Sequence, residues 1–236
     1  MSVLPAASPS GADATTRADP RASMRSEMRA ASRPGPTDLV WAAALLALLA
    51  GVVALRYLAI EAALADPILI GLGFGVALAG VAAIGALSAT GAMSGTSATR
   101  PASWPRTIAL GLLGGGALVA LALAGQAAAS LPQLPTLIRG DAFVPWGIAT
   151  IVVATGEEAV LRGVLFDRLT RGSGIWLAIL ITSLAFALMH VPFYGWRVVP
   201  LDLGVGIWLA GLRLASGGIV APSIAHAVAD LATWWL

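Results

Sequence analysis

The chain has no cysteine, which removes thiol nucleophiles, disulfides, thiolate metal sites and palmitoylation from the mechanisms open to it. It also has no lysine. All 14 basic residues are arginine, set against 12 acids, and a net charge of +2 gives no ground for a nucleic-acid partner despite an isoelectric point near 9.9. Charged residues make up only 11% of the 236 and histidine occurs twice. With 58% hydrophobic residues and a mean hydropathy of +0.87, the chain falls outside the range of soluble globular domains. These scarcities imply an all-α polytopic transmembrane helical bundle with the lipid bilayer as its partner, in which each remaining charge needs a reason.

Residues 1–38 are rich in Ala, Ser, Pro and Arg and lack any apolar run, so they read as a mostly disordered, cytoplasmic tail. Arg17, Arg21, Arg25, Arg29 and Arg33 recur every four residues. That spacing would form a basic stripe if a helix formed on anionic lipid, while a solvated tail that sets topology is the plainer reading. The multi-pass membrane domain is then 39–236, its first apolar run being an anchor rather than a cleaved signal.

About seven spans follow, at 39–60, 68–93, 107–131, 143–165, 175–191, 198–214 and 219–236, each about 20 residues long as a helix needs to cross hydrocarbon. With the tail inside, Arg100, Arg106, Arg162, Arg168, Arg171 and Arg213 also fall inside, against Arg56, Arg139 and Arg197 outside. That distribution agrees with the positive-inside rule and suggests a cell (inner) membrane protein. Segments 94–106 and 132–141 read as connectors. Gly71-x-x-x-Gly75 and Gly111-x-x-x-Gly115 read as close helix packing, and Trp104, Trp146, Trp196, Trp234 and Trp235 as headgroup-level anchors.

The apolar run 143–155 ends on Glu157-Glu158-Ala-Val-Leu-Arg162, although an ionisable group at membrane depth costs about 2.5 to 3.5 kcal/mol on insertion scales. Glu158 and Arg162 stand at i, i+4 and can pair; Glu157 lies about 100° away around the helix and stays free for chemistry. A snorkelling helix end in the headgroups is the alternative. The helix is expected to continue past Arg162 and to stop at Gly172-Ser173-Gly174. If that tripeptide is the tip of an antiparallel hairpin, reflection puts residue 190 opposite Glu157, and residue 190 is a histidine. It follows Phe186 by one turn, and Pro192 predicts a helix end at Val191. The last span carries the other histidine in His226-Ala-Val-Ala-Asp230, whose i, i+4 spacing places both side chains on one face.

These residues resemble the CPBP intramembrane protease family, which includes type II CAAX prenyl endopeptidases and bacteriocin-processing or immunity (Abi) proteins. The resemblance rests on Glu-Glu-x-x-x-Arg at 157–162, Phe-x-x-x-His at 186–190 and His-x-x-x-Asp at 226–230, in that order, with a core at about 143–236. It implies that Glu157 and His190 activate a water against a peptide carbonyl, and that His226 with Asp230 stabilises the oxyanion; Glu158, Arg162 and Phe186 support them. Prenyl endopeptidase members typically have Asn where this chain has Asp230. An ionised Asp230 would repel an oxyanion, so it must be protonated, orient His226 or bind metal. Glu157, His190, His226 and Asp230 also make an acceptable zinc set, although the chain has no His-Glu-x-x-His.

The activity implied is a peptidase, an intramembrane endopeptidase cutting a membrane-associated protein or peptide near the cytoplasmic face. Two alternatives stand beside it. One is a non-catalytic immunity or assembly partner on the same fold. The other is an ion-coupled transporter, for which buried Glu, His and Asp suffice but the internal symmetry of transporters is missing. Oligomeric state is not legible in these residues.

Overall fold

The computed structural model describes residues 36–88, 102–127 and 143–236. The arginine repeat of the tail and most of both expected connectors lie outside the described residues. Within them every regular element is a helix: α1 (Pro36–Glu61), α2 (Pro67–Leu87), α3 (Trp104–Ala127), α4 (Phe143–Glu158), a π-helical stretch (Ala159–Leu165), α5 (Phe166–Ser173), α6 (Ile175–Tyr194), a 3-10 turn (Trp196–Val198), α7 (Val199–Ser216) and α8 (Val220–Ala232). Because α4, the π stretch and α5 run on without a break, the described residues form seven rods in the order of the seven expected spans. Five segments are long and apolar enough to cross a membrane: Thr37–Glu61, Pro67–Leu87, Trp104–Gly125, Ile175–Tyr194 and Trp196–Ser216. Val220–Ala232 is a shorter apolar helix.

Local chemistry sets the helix ends. Asp66 accepts from the Ile68 backbone N–H at 2.8 Å and is followed by Pro67, so α2 begins with a side-chain cap and a residue that needs no N–H of its own. Gly174 at φ +88° separates α5 from α6, and Gly195 at φ +78° ends α6, a backbone region that glycine enters at no steric cost. The start of α1 departs from expectation. It begins at Pro36, and Asp38 binds Arg168 at 2.9 Å and Arg171 at 3.3 Å, so Asp38 belongs to the bundle rather than to the tail. The end of α6 departs as well: the helix carries Pro192 inside it and continues to Tyr194. Proline there removes one backbone donor, and the remaining bonds of the turn persist, including Gly195 N–H to Val191 O at 2.8 Å.

Small residues bring the rods together. A Cβ on Gly75 would lie 2.6 Å from Val152 Cγ1, and a Cβ on Gly111 or Gly115 would lie 2.7 Å from the Cβ of Ile224 or Val228. Backbones approach this closely only where side chains are missing, which is how apolar helices associate when lipid offers no hydrophobic drive. The pairings also show direction, since α2 runs parallel to α4 and α3 runs parallel to α8. Gly85 against Val164 and Gly114 against Leu212 are as tight, whereas Gly73, Gly80 and Gly116 meet nothing within 4 Å.

The hairpin expected about residue 173 forms only near its tip. The α5 rod packs on α6, but α4 packs on α2 and α8 and makes no backbone approach to α6. Glycine on α2 lets α4 come closer there than the leucine- and phenylalanine-bearing α6 would allow. The tryptophans divide too: Trp104, Trp196 and Trp235 are exposed, whereas Trp146 is buried. Its ring packs on Phe143 at 5.8 Å and Trp234 at 4.9 Å, making it a core residue rather than a lipid anchor.

Candidate active site

Glu157, His190, His226 and Asp230 all line one cavity of about 270 Å³, together with Phe186. Four rods supply its acids and histidines: α4 brings Glu157, α6 brings His190 beside Phe186, α7 brings Asp202, and α8 brings His226 and Asp230. Although α4 and α6 do not touch, their side chains meet across this space, so the cavity does what the expected hairpin contact was to do.

The deepest part is a chain of polar contacts. Arg162 Nη1 donates to Glu158 Oε1 at 2.9 Å, with both side chains fully buried. Arg162 Nη2 donates to the Gly206 carbonyl at 3.0 Å, and the guanidinium lies 4.8 Å from the centre of the Phe186 ring. The same Glu158 oxygen stands 3.1 Å from His226 Nδ1. A carboxylate oxygen only accepts, so Nδ1 carries the proton and donates. His226 Nε2 then faces Glu157 Oε2 at 3.7 Å and Asp230 Oδ2 at 3.4 Å. Three carboxyl groups thus converge on one imidazole. Glu158 therefore does more than neutralise Arg162, because it also fixes the ring orientation and tautomer of His226.

His190 is held by a second set. Its Nδ1 lies 2.9 Å from the Phe186 carbonyl and 3.2 Å from Asp202 Oδ2. Both partners accept, so Nδ1 is the protonated nitrogen and Nε2 keeps its lone pair in the neutral ring. Phe186 stands between the histidines, its ring edge-on to His190 at 4.9 Å and to His226 at 5.3 Å. It spaces the two imidazoles and caps Arg162 at the same time.

The π-helical stretch directly follows Glu157 and Glu158, and such wide turns are frequent at functional sites. It leaves backbone acceptors open: Arg213 Nε donates to the Arg162 carbonyl at 2.9 Å. A regular α-helix was expected here, and neither the spacing nor the composition of Ala159–Leu165 marks the change.

Side-chain exposure rises from 3% at Glu157 and 5% at His226 to 19% at His190 and 43% at Asp230. The mouth therefore lies toward the end of the bundle where α6 and α8 finish. Arg168, Arg171 and Arg213 sit at the other end. A second space of about 390 Å³ between α3 and α7 shares Leu118, Leu121, Leu201 and Val205 with the cavity, and its lining is largely apolar.

Two residues of this site escaped the sequence reading. Asp202 had no motif around it; its only signal was an acid four residues inside a run that otherwise reads as membrane. Arg56 falls on the outer side in the sequence, near the end of the first span. It is buried at 8% exposure and lines the cavity, with its guanidinium 4.5 Å from the centre of the Phe74 ring and 4.8 Å from that of Phe193. The signal available was a lone arginine in the apolar run 39–60.

Among the described residues no group of three or more His, Asp or Glu side chains is arranged to hold a metal ion. Both Nδ1 atoms donate to carboxylate or carbonyl acceptors, which leaves only the Nε2 atoms to take a ligand, and His226 Nε2 faces two carboxyl oxygens. Glu157, His190, His226 and Asp230, the set acceptable for zinc by residue type, share a cavity without meeting as a ligand cluster.

Residues 139–232 match the family model for type II CAAX prenyl endopeptidase Rce1-like proteins. No curated protein and no solved structure matches the chain. The matched segment contains Glu157, Glu158, Arg162, Phe186, His190, Asp202, His226 and Asp230, whereas Arg56 lies outside it.

Arg162→Ala is expected to be a folding defect before it is a catalytic one. It would strand Glu158 in a fully buried position, and breaking a buried pair on one side costs about 3 to 5 kcal/mol. Membrane yield and the thermal midpoint in detergent should both fall. An Arg162→Ala protein with the parent's midpoint and no activity would instead assign the guanidinium a direct role in chemistry.

Proposed function

We propose that this chain, which carries a type II CAAX prenyl endopeptidase Rce1-like domain at residues 139–232, is an intramembrane endopeptidase that cuts a membrane-associated protein or peptide by attack of an activated water. The observation that carries the reading is the convergence of Glu157, His190, His226 and Asp230 on one cavity inside an apolar bundle. Buried acids of this kind are expensive, and simple packing would not require them to share a space.

In this reading Glu157 is the general base. Its carboxylate sits at the inner end of the cavity with the His226 ring behind it at 3.7 Å, and it takes a proton from a water held jointly by the free Nε2 of His190. The hydroxide attacks the peptide carbonyl, and the tetrahedral oxyanion forms where His226 and Asp230 present their polar edges. Glu157 then returns the proton to the leaving amine, so that one carboxyl group serves as base and then as acid. Asp202 holds His190 in the tautomer that leaves Nε2 facing the water. The apolar space shared with the cavity between α3 and α7 offers a route from lipid for a membrane-associated substrate.

The same cavity without turnover would suit an immunity or assembly partner, and turnover distinguishes the two. Glu157→Gln, His190→Ala and His226→Ala should each abolish cleavage of internally quenched hydrophobic peptides while the protein stays folded in detergent, because the three act on one water and one intermediate. Near-normal turnover in any of them would remove that residue from the chemistry.

Asp230 separates two roles. If it serves the oxyanion and steadies His226, Asp230→Asn should retain activity and alter its pH dependence. The amide donates without needing a proton from solution, and its oxygen still accepts from His226. Chelators should leave the parent enzyme active. Stoichiometric zinc in the purified protein, lost together with activity in Asp230→Asn, would overturn this assignment.

Orientation follows from the arginines. By the positive-inside rule the ends bearing Arg168, Arg171 and Arg213 face the cytoplasm, and the mouth at Asp230 then faces the opposite leaflet. The sequence expectation of cleavage near the cytoplasmic face does not go with that orientation. Single cysteines at Ser2 and Ser173 of this cysteine-free chain should label from inside and one at Asp141 from outside. Labelling of Ser173 from outside only would reverse the topology and return the mouth to the cytoplasmic side.

A further inference from the structure

We infer that Tyr194 is a catalytic residue, its phenolic hydroxyl donating a hydrogen bond to the oxyanion formed in the cavity; this role rests on the endopeptidase reading. An oxyanion needs N–H or O–H groups aimed at it, and the two residues beside which it forms are short of them. His226 gives its Nδ1 proton to Glu158 at 3.1 Å. In the neutral ring Nε2 then has a lone pair and nothing to donate; in the imidazolium its proton is shared with Asp230 Oδ2 at 3.4 Å and Glu157 Oε2 at 3.7 Å. Asp230 carries a carboxyl group where an amide would donate, and a carboxyl group donates only when protonated.

Tyr194 meets that shortage. It is half-buried, lines the cavity and follows His190 by one turn of α6, so both rings share a face, with centres 6.0 Å apart. The charge felt most strongly at its oxygen is that of Asp230, followed by Arg56, Glu157 and Asp202, so the hydroxyl stands among the polar groups of the cavity. Among the described residues it has no hydrogen-bond partner. A phenol keeps its proton across the range in which carboxylates and imidazoles titrate. It therefore donates whatever the state of Asp230 or His226.

The end of α6 holds the ring in place. Pro192 restricts the backbone of the last turn, Gly195 N–H bonds the Val191 carbonyl at 2.8 Å, and Gly195 at φ +78° ends the helix directly after Tyr194. A donor fixed in advance stabilises developing charge without having to reorganise. The other hydroxyls on the cavity wall are placed differently. Thr233 donates to the Asp230 carbonyl at 2.7 Å, and Thr150 stands seven residues before Glu157, about 10 Å along α4.

Tyr194→Phe removes the oxygen and keeps the ring, and it is read by turnover and by binding. With internally quenched hydrophobic peptides in detergent, kcat should fall about 10²- to 10³-fold, the range for loss of one oxyanion donor. KM and the thermal midpoint should stay at the parent's values, because the donor acts only in the transition state and the hydroxyl has no partner to lose. The second probe is the phosphinic analogue of N-acetyl-Leu-Val-Leu-Leu amide, whose tetrahedral anionic phosphinate replaces the central peptide bond. Titrated calorimetrically, it should bind Tyr194→Phe about 10- to 100-fold more weakly than the parent, the range for a hydrogen bond to a charged group. Adding Asp230→Asn to Tyr194→Phe should restore part of the lost kcat, because the amide donates in place of the phenol. Parent-like kcat and phosphinate affinity in Tyr194→Phe overturn the role. A higher KM at constant kcat also overturns it, by making the hydroxyl a ground-state contact, and a lowered midpoint that accounts for the lost activity overturns it by making the hydroxyl structural. Cleavage indifferent to Tyr194 would leave the endopeptidase and remove this donor. Phosphinate binding that depends on Tyr194, with no cleavage by the parent protein, would do the reverse, and a parent that neither binds nor cleaves would remove both.

Discussion

Everything in the site hangs on a guanidinium that has left water. Arg162 is fully buried in an apolar bundle, and the desolvation of such a pair costs several kcal/mol per ion, recovered only when geometry and further hydrogen bonds are good. Here the recovery comes from three helices at once: Glu158 one turn earlier on its own rod, the Gly206 carbonyl on α7 and the Phe186 ring on α6. Gly206 can accept only because α7 approaches α6 so closely that a Cβ there would lie 2.9 Å from the Ser183 Cα. Helix packing and charge burial are therefore one problem, and loosening either loosens both.

From that anchor, order passes outward to the reacting groups. Glu158 is held by Arg162 and in turn holds His226, so the imidazole has one orientation, with Nε2 turned toward Glu157 and Asp230. Phe186 is held by its contact with Arg162 and separates the two histidines. Asp202 performs for His190 the task that Glu158 performs for His226. Supporting hydrogen bonds of this kind, rather than the reacting groups themselves, keep a site within the tolerance that catalysis needs. The burial gradient from Glu158 to Asp230 expresses the same division, rigid and dry at the base and open at the mouth.

Much of this was legible before the fold. The membrane class followed from charge scarcity, the rod order from apolar run lengths, and the grouping of Glu157, His190, His226 and Asp230 from charges that hydrocarbon would otherwise exclude. Spacing along one helix was also sufficient for the Glu158 and Arg162 pair, because i, i+4 geometry is local. What escaped the sequence is what depends on other helices. Asp202 and Arg56 each stand alone in an apolar run, and a lone charge does not say whether it faces lipid headgroups or a cavity. The π stretch leaves no mark on composition. Reflection about Gly172-Ser173-Gly174 brought His190 and Glu157 to the same space for a reason that the structure does not share: α4 follows the glycine-bearing α2 and the last helix, not α6. Asp38, assigned to the tail by composition, belongs to α1 because Arg168 and Arg171 bind it.

The two ends of the bundle are built from different interactions, and this decides where the site opens. At one end Arg168 joins Asp38 on α1 to Ser88 and the Gly85 carbonyl beside α2, while Arg213 on α7 reaches Asp167 on α5 and the Arg162 carbonyl in the π stretch. Four rods are clasped there by directional bonds, several of them partly buried, where screening by salt is weak. At the other end Phe143 packs on Trp146, Trp234 and Trp235, and Trp146 packs on Trp234, contacts between uncharged rings. Aromatic packing can shift without leaving a charge unpaired, whereas parting the clasp would strand Arg168 in a nearly dry position. Access to Glu157 through the clasped end would thus cost several buried bonds, and access past Asp230 costs none of them. Arg56, beside Phe74 and Phe193, stands on the side that stays open.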